Sequence, residues 1–326
     1  MRVRRFAPIP RLTIVTFHHI ADQGGRYQYD PDVADATPAQ FRRQMETLAR
    51  HCTVITMDDC VRAVEGAPLP QNPVLVTFDD GYRSCHDTAL PVLKSVGIPA
   101  TFFIATSYIT ERRLYWWERI ALVLSRTKVA RTTIMFPDVL EIVPHDPIMR
   151  RKLTDLIKFT PALDIERFLV ELTEKLEVEW SPAIEAEAAD GLIMKWDHIR
   201  TLAREGMDIE SHTRRHRVLQ TLDAAALRDE LSGSRLDLEA QIGRPVRAVA
   251  YPVGRAISEV PRIRAAVQEA GYRIGLSNGS GVNTLWPAQL RSVLPIDRFD
   301  IRRLSTDRSM SDAMFLTSVA IPSLAY

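Results

Sequence analysis

Pro73-Val74-Leu75-Val76-Thr77-Phe78-Asp79-Asp80-Gly81 decides the fold. Residues 74–78 are nearly all apolar and rich in β-branched side chains. That is the mark of a strand covered on both faces, as in a parallel sheet. The run ends on two carboxylates and a glycine, and glycine lets the backbone turn sharply. A helix is predicted over 88–96, ended by Gly97, and another buried strand over 100–105. Upstream, 12–17 reads as a strand. Thr37-Pro38 opens a helix with the apolar stripe Phe41, Met45 and Leu48. Strand and helix alternate from 12 to 105, which predicts an α/β parallel sheet or barrel.

The rhythm breaks over about 111–189, which opens with Tyr115-Trp116-Trp117 and continues through amphipathic helical runs. It reads as a mostly helical insertion within a single domain spanning 1–326. The three aromatics fit a hydrophobic dock better than a sugar-stacking platform. Alternation resumes at Trp196, with strands predicted at 207–210, 248–251 and 272–276.

The chain has 326 residues, 46% hydrophobic and 25% charged, enough for a sizeable core. Its 42 Lys and Arg balance 41 Asp and Glu. That balance implies no general attraction to nucleic acid or anionic lipid. No apolar run approaches transmembrane length. The basic residues before residue 12 precede too short an apolar run for a secretory signal. The odd, sparse set Cys52, Cys60 and Cys85 fits a reducing compartment, so a cytoplasmic protein is expected.

Two clusters can carry chemistry. Asp79 and Asp80 sit where a buried strand ends, the place where α/β proteins put their sites. Adjacent carboxylates repel unless a cation neutralises one. Ser211-His212-Thr213-Arg214-Arg215-His216 follows another strand and, if helical, puts both histidines on one face. Asp80, His212 and His216 then make a carboxylate-and-two-imidazole set with open positions, the pattern of catalytic zinc. Non-haem iron uses similar ligands. Asp79 favours a hydrolase, because it stands beside the metal as a base for the attacking water.

These residues resemble the first two motifs of the polysaccharide deacetylases, the NodB-homology family of carbohydrate esterases. The resemblance implies a distorted (β/α)7 barrel, one divalent metal (usually Zn2+), and removal of acetyl groups from sugars. It implies Asp79 as base and Asp80, His212 and His216 as metal ligands. The third motif, usually Arg-x-Pro-Tyr-Gly, is here Ala250-Tyr251-Pro252-Val253-Gly254. Val253 still offers the backbone N–H that the family uses in its oxyanion hole. Ala250 cannot orient the base, and Arg291 is the substitute considered.

The late Leu-x-His motif has no counterpart, since no histidine follows His216. The branch resembling bacterial poly-N-acetylglucosamine deacetylases carries that histidine at its first strand, where Phe17-His18 stands here. Alternation puts Ile14, Thr16 and His18 on one face and Val15, Phe17 and His19 on the other. The bulky pair suits the outer face, leaving His18 at the barrel mouth as the acid. The expected function is metal-dependent removal of N-acetyl groups from a glycan or glycolipid. The alternatives are an O-acetyl esterase or non-sugar amidase, and a catalytically inactive sugar-binding homologue.

Overall fold

The structure, a computed structural model, describes residues 11–24, 27–279, 283–285 and 296–320. Eight strands form a ring: β1 (Arg11–Phe17), β2 (Pro73–Phe78), β3 (Thr101–Ile104), β4 (Asp208–Ser211), β5 (Ala248–Ala250), β6 (Ile274–Ser277), β7 (Ile301–Arg302) and β8 (Leu304–Ser305). Neighbours pair in that order from β1 to β7, all parallel. β8 then pairs in parallel with β1, Val15 against Leu304 and Thr16 against Ser305. β7 and β8 are one stretch of chain interrupted at Arg303. Together they fill the seventh position and close a distorted barrel of the expected type.

The inward and outward faces follow from strand alternation. Leu12 and Ile14 join Leu75, Phe103, Ala250, Leu276 and Ile301 in one buried interior cluster. Val15, Phe17, Phe78 and Phe102 belong to the larger cluster between barrel and helices. Phe78 stacks on Phe102 with ring centres 4.8 Å apart. Each such side chain, once buried, contributes about 1.5–3 kcal/mol.

Helix Pro38–His51 is capped by the Thr37 hydroxyl and buries Phe41, Met45 and Leu48, as predicted. Helix Met57–Val64 starts with a reciprocal capping box between Thr56 and Asp59. Its apolar face joins the interior cluster. The Met57 N–H donates to Asp208 at the amino end of β4, 2.8 Å away. One end of the barrel is therefore filled, and the carboxyl end is left for the site.

Between β3 and β4 the chain leaves the ring. It forms helices Thr106–Glu111, Trp116–Arg126, Met149–Phe159, Ile165–Lys175 and Pro182–Leu192, with an antiparallel pair of short strands, Thr132–Ile134 and Leu140–Ile142. The last of these helices has no amphipathic stripe in sequence. It is set by its Ser181 cap and Pro182 in the first turn, and it buries only Glu185, Ala189 and Leu192.

Candidate active site

Four strand ends converge at the carboxyl mouth. Asp79 and Asp80 follow β2, His212 follows β4, His18 follows β1 and Val253 follows β5. All line one cavity of about 360 Å³. Asp80, His212 and His216 are buried, and their ligand atoms lie within 4.8 Å of one another. Asp80 Oδ1 is 3.3 Å from His212 Nε2 and 3.4 Å from His216 Nε2.

The donor set fits a divalent cation. Asp80 Oδ1 is buried and accepts no hydrogen bond, which is costly for a carboxylate unless a cation completes it. His212 Nδ1 lies 2.8 Å from the Ala250 carbonyl. Donation to that carbonyl leaves the Nε2 lone pair facing Asp80. Burial holds the His216 imidazole down to about 3, so it is neutral and able to ligate.

The histidines do not meet through a helix. Residues 212–216 form a tight loop with Thr213 at φ 65° and His216 at φ 50°. The two histidines come together as expected, but through a loop and not through helical spacing. The loop is pinned by Glu230, 1% exposed. Its Oε2 accepts the N–H groups of Arg214 and Arg215 at 3.0 and 2.8 Å. The Arg214 guanidinium bonds Asp237 and Asp229. Gly233 is required beneath it, because a Cβ there would lie 2.6 Å from the guanidinium carbon.

Asp79 is 1% exposed and held by Arg303, whose two terminal nitrogens reach its two oxygens at 2.6 and 2.8 Å. Burial alone would raise the Asp79 pKa. The Arg303 charge and hydrogen bonds outweigh it, with help from His212 and His18, and bring it down to about 2. Arg303 thus stands against Asp79, where Arg291 was considered. Arg291 lies outside the described residues. Sequence offered only a faint sign: an arginine at the inward parity of Ile301, in a segment that resembles a strand.

His18 faces the cavity, as alternation predicted, and His19 does not line it. His19 is buried against Ser84, 2.8 Å from its hydroxyl, and stacks on Tyr82. His18 Nδ1 is 2.9 Å from Asp35 Oδ2, which also accepts the His18 N–H at 2.5 Å. Nε2 is left facing Asp79, 4.0 Å from its Oδ2. Burial would lower the His18 pKa, but the Asp35 charge and hydrogen bond, then Asp80 and Asp79, raise it to about 9. Asp35 was not singled out in sequence, where it is one acid among 41.

Val253 sits at φ 62°, a left-handed position that a β-branched residue rarely takes. Asp80, Thr213 and His216 share that backbone region. Such conformations cost about 1–3 kcal/mol each and gather at functional sites. Tyr251 is buried, and its hydroxyl donates to the Phe299 carbonyl at 2.8 Å, so it serves as wall.

Tyr115, Trp116 and Trp117 are buried rather than displayed as an open platform. Tyr115 and Trp117 stack with centres 4.7 Å apart, and Trp117 packs 4.6 Å from the His216 ring. The Trp117 N–H donates to the Tyr82 hydroxyl, which donates to Glu118. Trp117 thus backs the imidazole of His216.

The sequence model of the polysaccharide deacetylase family matches residues 66–275, the span that holds Asp79, Asp80 and both histidines. The chain belongs to the polysaccharide deacetylase family. Poly-beta-1,6-N-acetyl-D-glucosamine N-deacetylase of Staphylococcus epidermidis is 34% identical over 74 residues, 22% of this chain and 26% of that protein. The enzyme of the same name from Staphylococcus aureus strain MSSA476 is 30% identical over 78 residues, 24% and 27% of the two chains. The match thus spans about a quarter of these relatives.

Among solved structures, the Streptococcus pyogenes deacetylase PplD in complex with acetate superposes with a TM-score of 0.62 at 15% identity, covering 95% of this chain and 99% of that one. IcaB from Ammonifex degensii gives 0.56 at 16%, covering 97% and 95%. At such identities the likeness shows the fold. This member of the polysaccharide deacetylase family therefore shares a barrel with those proteins over nearly its whole length. Among the described residues, no helix is long and apolar enough to cross a membrane.

Proposed function

We propose that the chain is a metal-dependent deacetylase that removes N-acetyl groups from a sugar or polysaccharide. The observation that carries this is a pair of tethered groups beside a metal-binding set. Arg303 holds Asp79, Asp35 holds His18, the two face each other at 4.0 Å, and Asp80, His212 and His216 lie next to them. Those three residues would hold a divalent cation, Zn2+ by ligand type, which would supply Lewis-acid polarisation and a more acidic water. The family itself works with metal in general, and the buried Asp80 oxygen fits that requirement.

The chain's own groups then divide the work. The Asp79 carboxylate takes a proton from the attacking water as its oxygen bonds to the acetyl carbon. The Val253 N–H donates to the carbonyl oxygen as that oxygen becomes negative. Protonated His18 gives its Nε2 proton to the sugar nitrogen as the C–N bond breaks. Acetate and a free amine leave. An amine leaves poorly without a proton, so a raised histidine pKa suits an amide substrate. The curated relatives are named for N-deacetylation of poly-β-1,6-N-acetylglucosamine, which supports the amide reading and a glycan substrate. The departure at Ala250 had suggested an inactive sugar-binding homologue. Arg303 supplies the missing arginine and removes that ground. We also propose a cytoplasmic location, which the three free thiols would suit.

Acetate release from matched N-acetylated and O-acetylated oligosaccharides tests the proposal. Release from the N-acetylated member is expected, with a bell-shaped pH profile. Release from the ester alone would make the protein an O-acetyl esterase.

A further inference from the structure

The two histidines beside Asp80 are held in different ways. His212 has a polar anchor, since its Nδ1 lies 2.8 Å from the Ala250 carbonyl. His216 has none. Its Nδ1 is buried and, among the described residues, meets no hydrogen-bond partner. A metal-binding imidazole is normally fixed by a hydrogen bond at its other nitrogen. The His216 ring is instead backed by the Trp117 ring, with centres 4.6 Å apart and planes tilted by 55°. Such a contact restrains the imidazole only as firmly as the indole is itself held.

Trp117 is held by a stack and a hydrogen bond. Tyr115 stacks on it, and its indole N–H donates to the Tyr82 hydroxyl at 2.8 Å. A hydroxyl has one proton to give and lone pairs to accept with. Tyr82 gives its proton to Glu118 Oε1, 2.6 Å away, and keeps a lone pair for the indole. Glu118 thereby fixes the direction of the relay. Its other oxygen accepts the Asp30 N–H at 2.6 Å. Asp30 lines the catalytic cavity and grips Arg150. Tyr82 and Glu118 are both 0% exposed, so neither has solvent as an alternative partner. A carboxyl group buried this deeply is costly unless its hydrogen bonds are made. Deacetylation gives Glu118 no step of its own.

We propose that Glu118 is a positioning residue for His216, acting through Tyr82 and Trp117, and that the helical insertion by this route sets how tightly the site holds its cation. The proposal rests on the metal-dependent reading and deepens it. Trp117 and Glu118 both lie in the insertion, on helix Trp116–Arg126. The insertion thus acts on the metal without supplying a ligand.

Zn2+ affinity, measured by chelator competition, tests this without reference to turnover. Tyr82→Phe and Glu118→Leu should each weaken Zn2+ binding by about 10–100-fold, whereas Glu118→Gln, which keeps polar groups facing Tyr82 and Asp30, should stay close to the wild type. The double variant Tyr82→Phe with Glu118→Leu should be no worse than the weaker single, because both sever one relay. The visible spectrum of bound Co2+ should shift in Tyr82→Phe, since it reports ligand geometry. A purely structural role would instead lower the melting temperature of the metal-free variants and leave affinity and spectrum alone. Tyr82→Phe removes only one oxygen atom and keeps the test readable if Glu118→Leu does not fold. Unchanged Zn2+ affinity in Tyr82→Phe, or additive losses in the double variant, would overturn the proposal. If the wild type binds Zn2+ and the variants weaken it as expected, yet no acetate is released, the positioning role stands. The deacetylase reading is then what fails.

Discussion

Asp79→Asn is expected to lower kcat by about 10²–10⁴ while leaving metal content and fold intact. The amide keeps the shape and one acceptor but cannot take a proton. Arg303 explains why the loss should be nearly complete. It grips both oxygens of Asp79 and holds the pKa down to about 2, so the wild-type base is ionised at any ordinary working pH. The acidic limb of the kcat/KM profile should therefore lie far down, as pH falls toward about 2, provided the fold survives there. Turnover within a few-fold of wild type in Asp79→Asn would remove Asp79 from the role of base.

His18→Ala is expected to cut amide hydrolysis by about 10²–10⁴ and to spare an activated ester, whose leaving group needs little protonation. His19→Ala should be mild for catalysis, because its ring is turned to Ser84 and Tyr82. The pH sign follows from Asp35. A raised histidine pKa keeps the acid charged until pH climbs through about 9, so the basic limb should lie at or below that value, since a bound cation opposes the charge. Asp35→Asn removes the cause and leaves burial, so the limb should move down. The histidine's share of this pair stabilises the fold below its ordinary 6.5 and is lost as pH rises through about 9, while burial raises the Asp35 pKa and opposes it. Equal losses on amide and activated ester in His18→Ala, or a basic limb unmoved in Asp35→Asn, would show that His18 is not the acid.

The barrel and the chemistry-bearing strand ends were legible because each has a local cause. A nearly all-apolar run such as 74–78 can only be covered on both faces. The alternation of Ile14, Thr16 and His18 fixes which histidine looks inward. The histidine pair was legible as a spacing, but its geometry was not. The loop 212–216 is shaped by Glu230 and Gly233, and their approach is tertiary. The two tethers were missed for the same reason. Arg303 lies 224 residues from Asp79, and Asp35 sits 17 residues beyond His18 in the three-residue strand Ala34–Ala36. Neither leaves a periodic trace. Arg303 sits at the gap between β7 and β8, where one interrupted stretch closes the ring, and closure of a ring is not written in any window of sequence. Trp116 and Trp117 are buried as a dock, as expected, whereas the contact of Trp117 with His216 needed the fold.

The central claim is that Asp80, His212 and His216 hold a divalent cation on which deacetylation depends. Its most direct measurement is elemental analysis combined with acetate release from an N-acetylglucosamine oligomer, on wild type, on chelated and Zn2+-restored protein, and on His212→Ala and His216→Ala. One divalent ion per chain is predicted in the wild type, with release lost on chelation and regained with Zn2+. Each histidine variant should lose the ion, because a single histidine and a carboxylate hold Zn2+ poorly. Full metal occupancy in either variant, or undiminished acetate release from metal-free protein, would contradict the account.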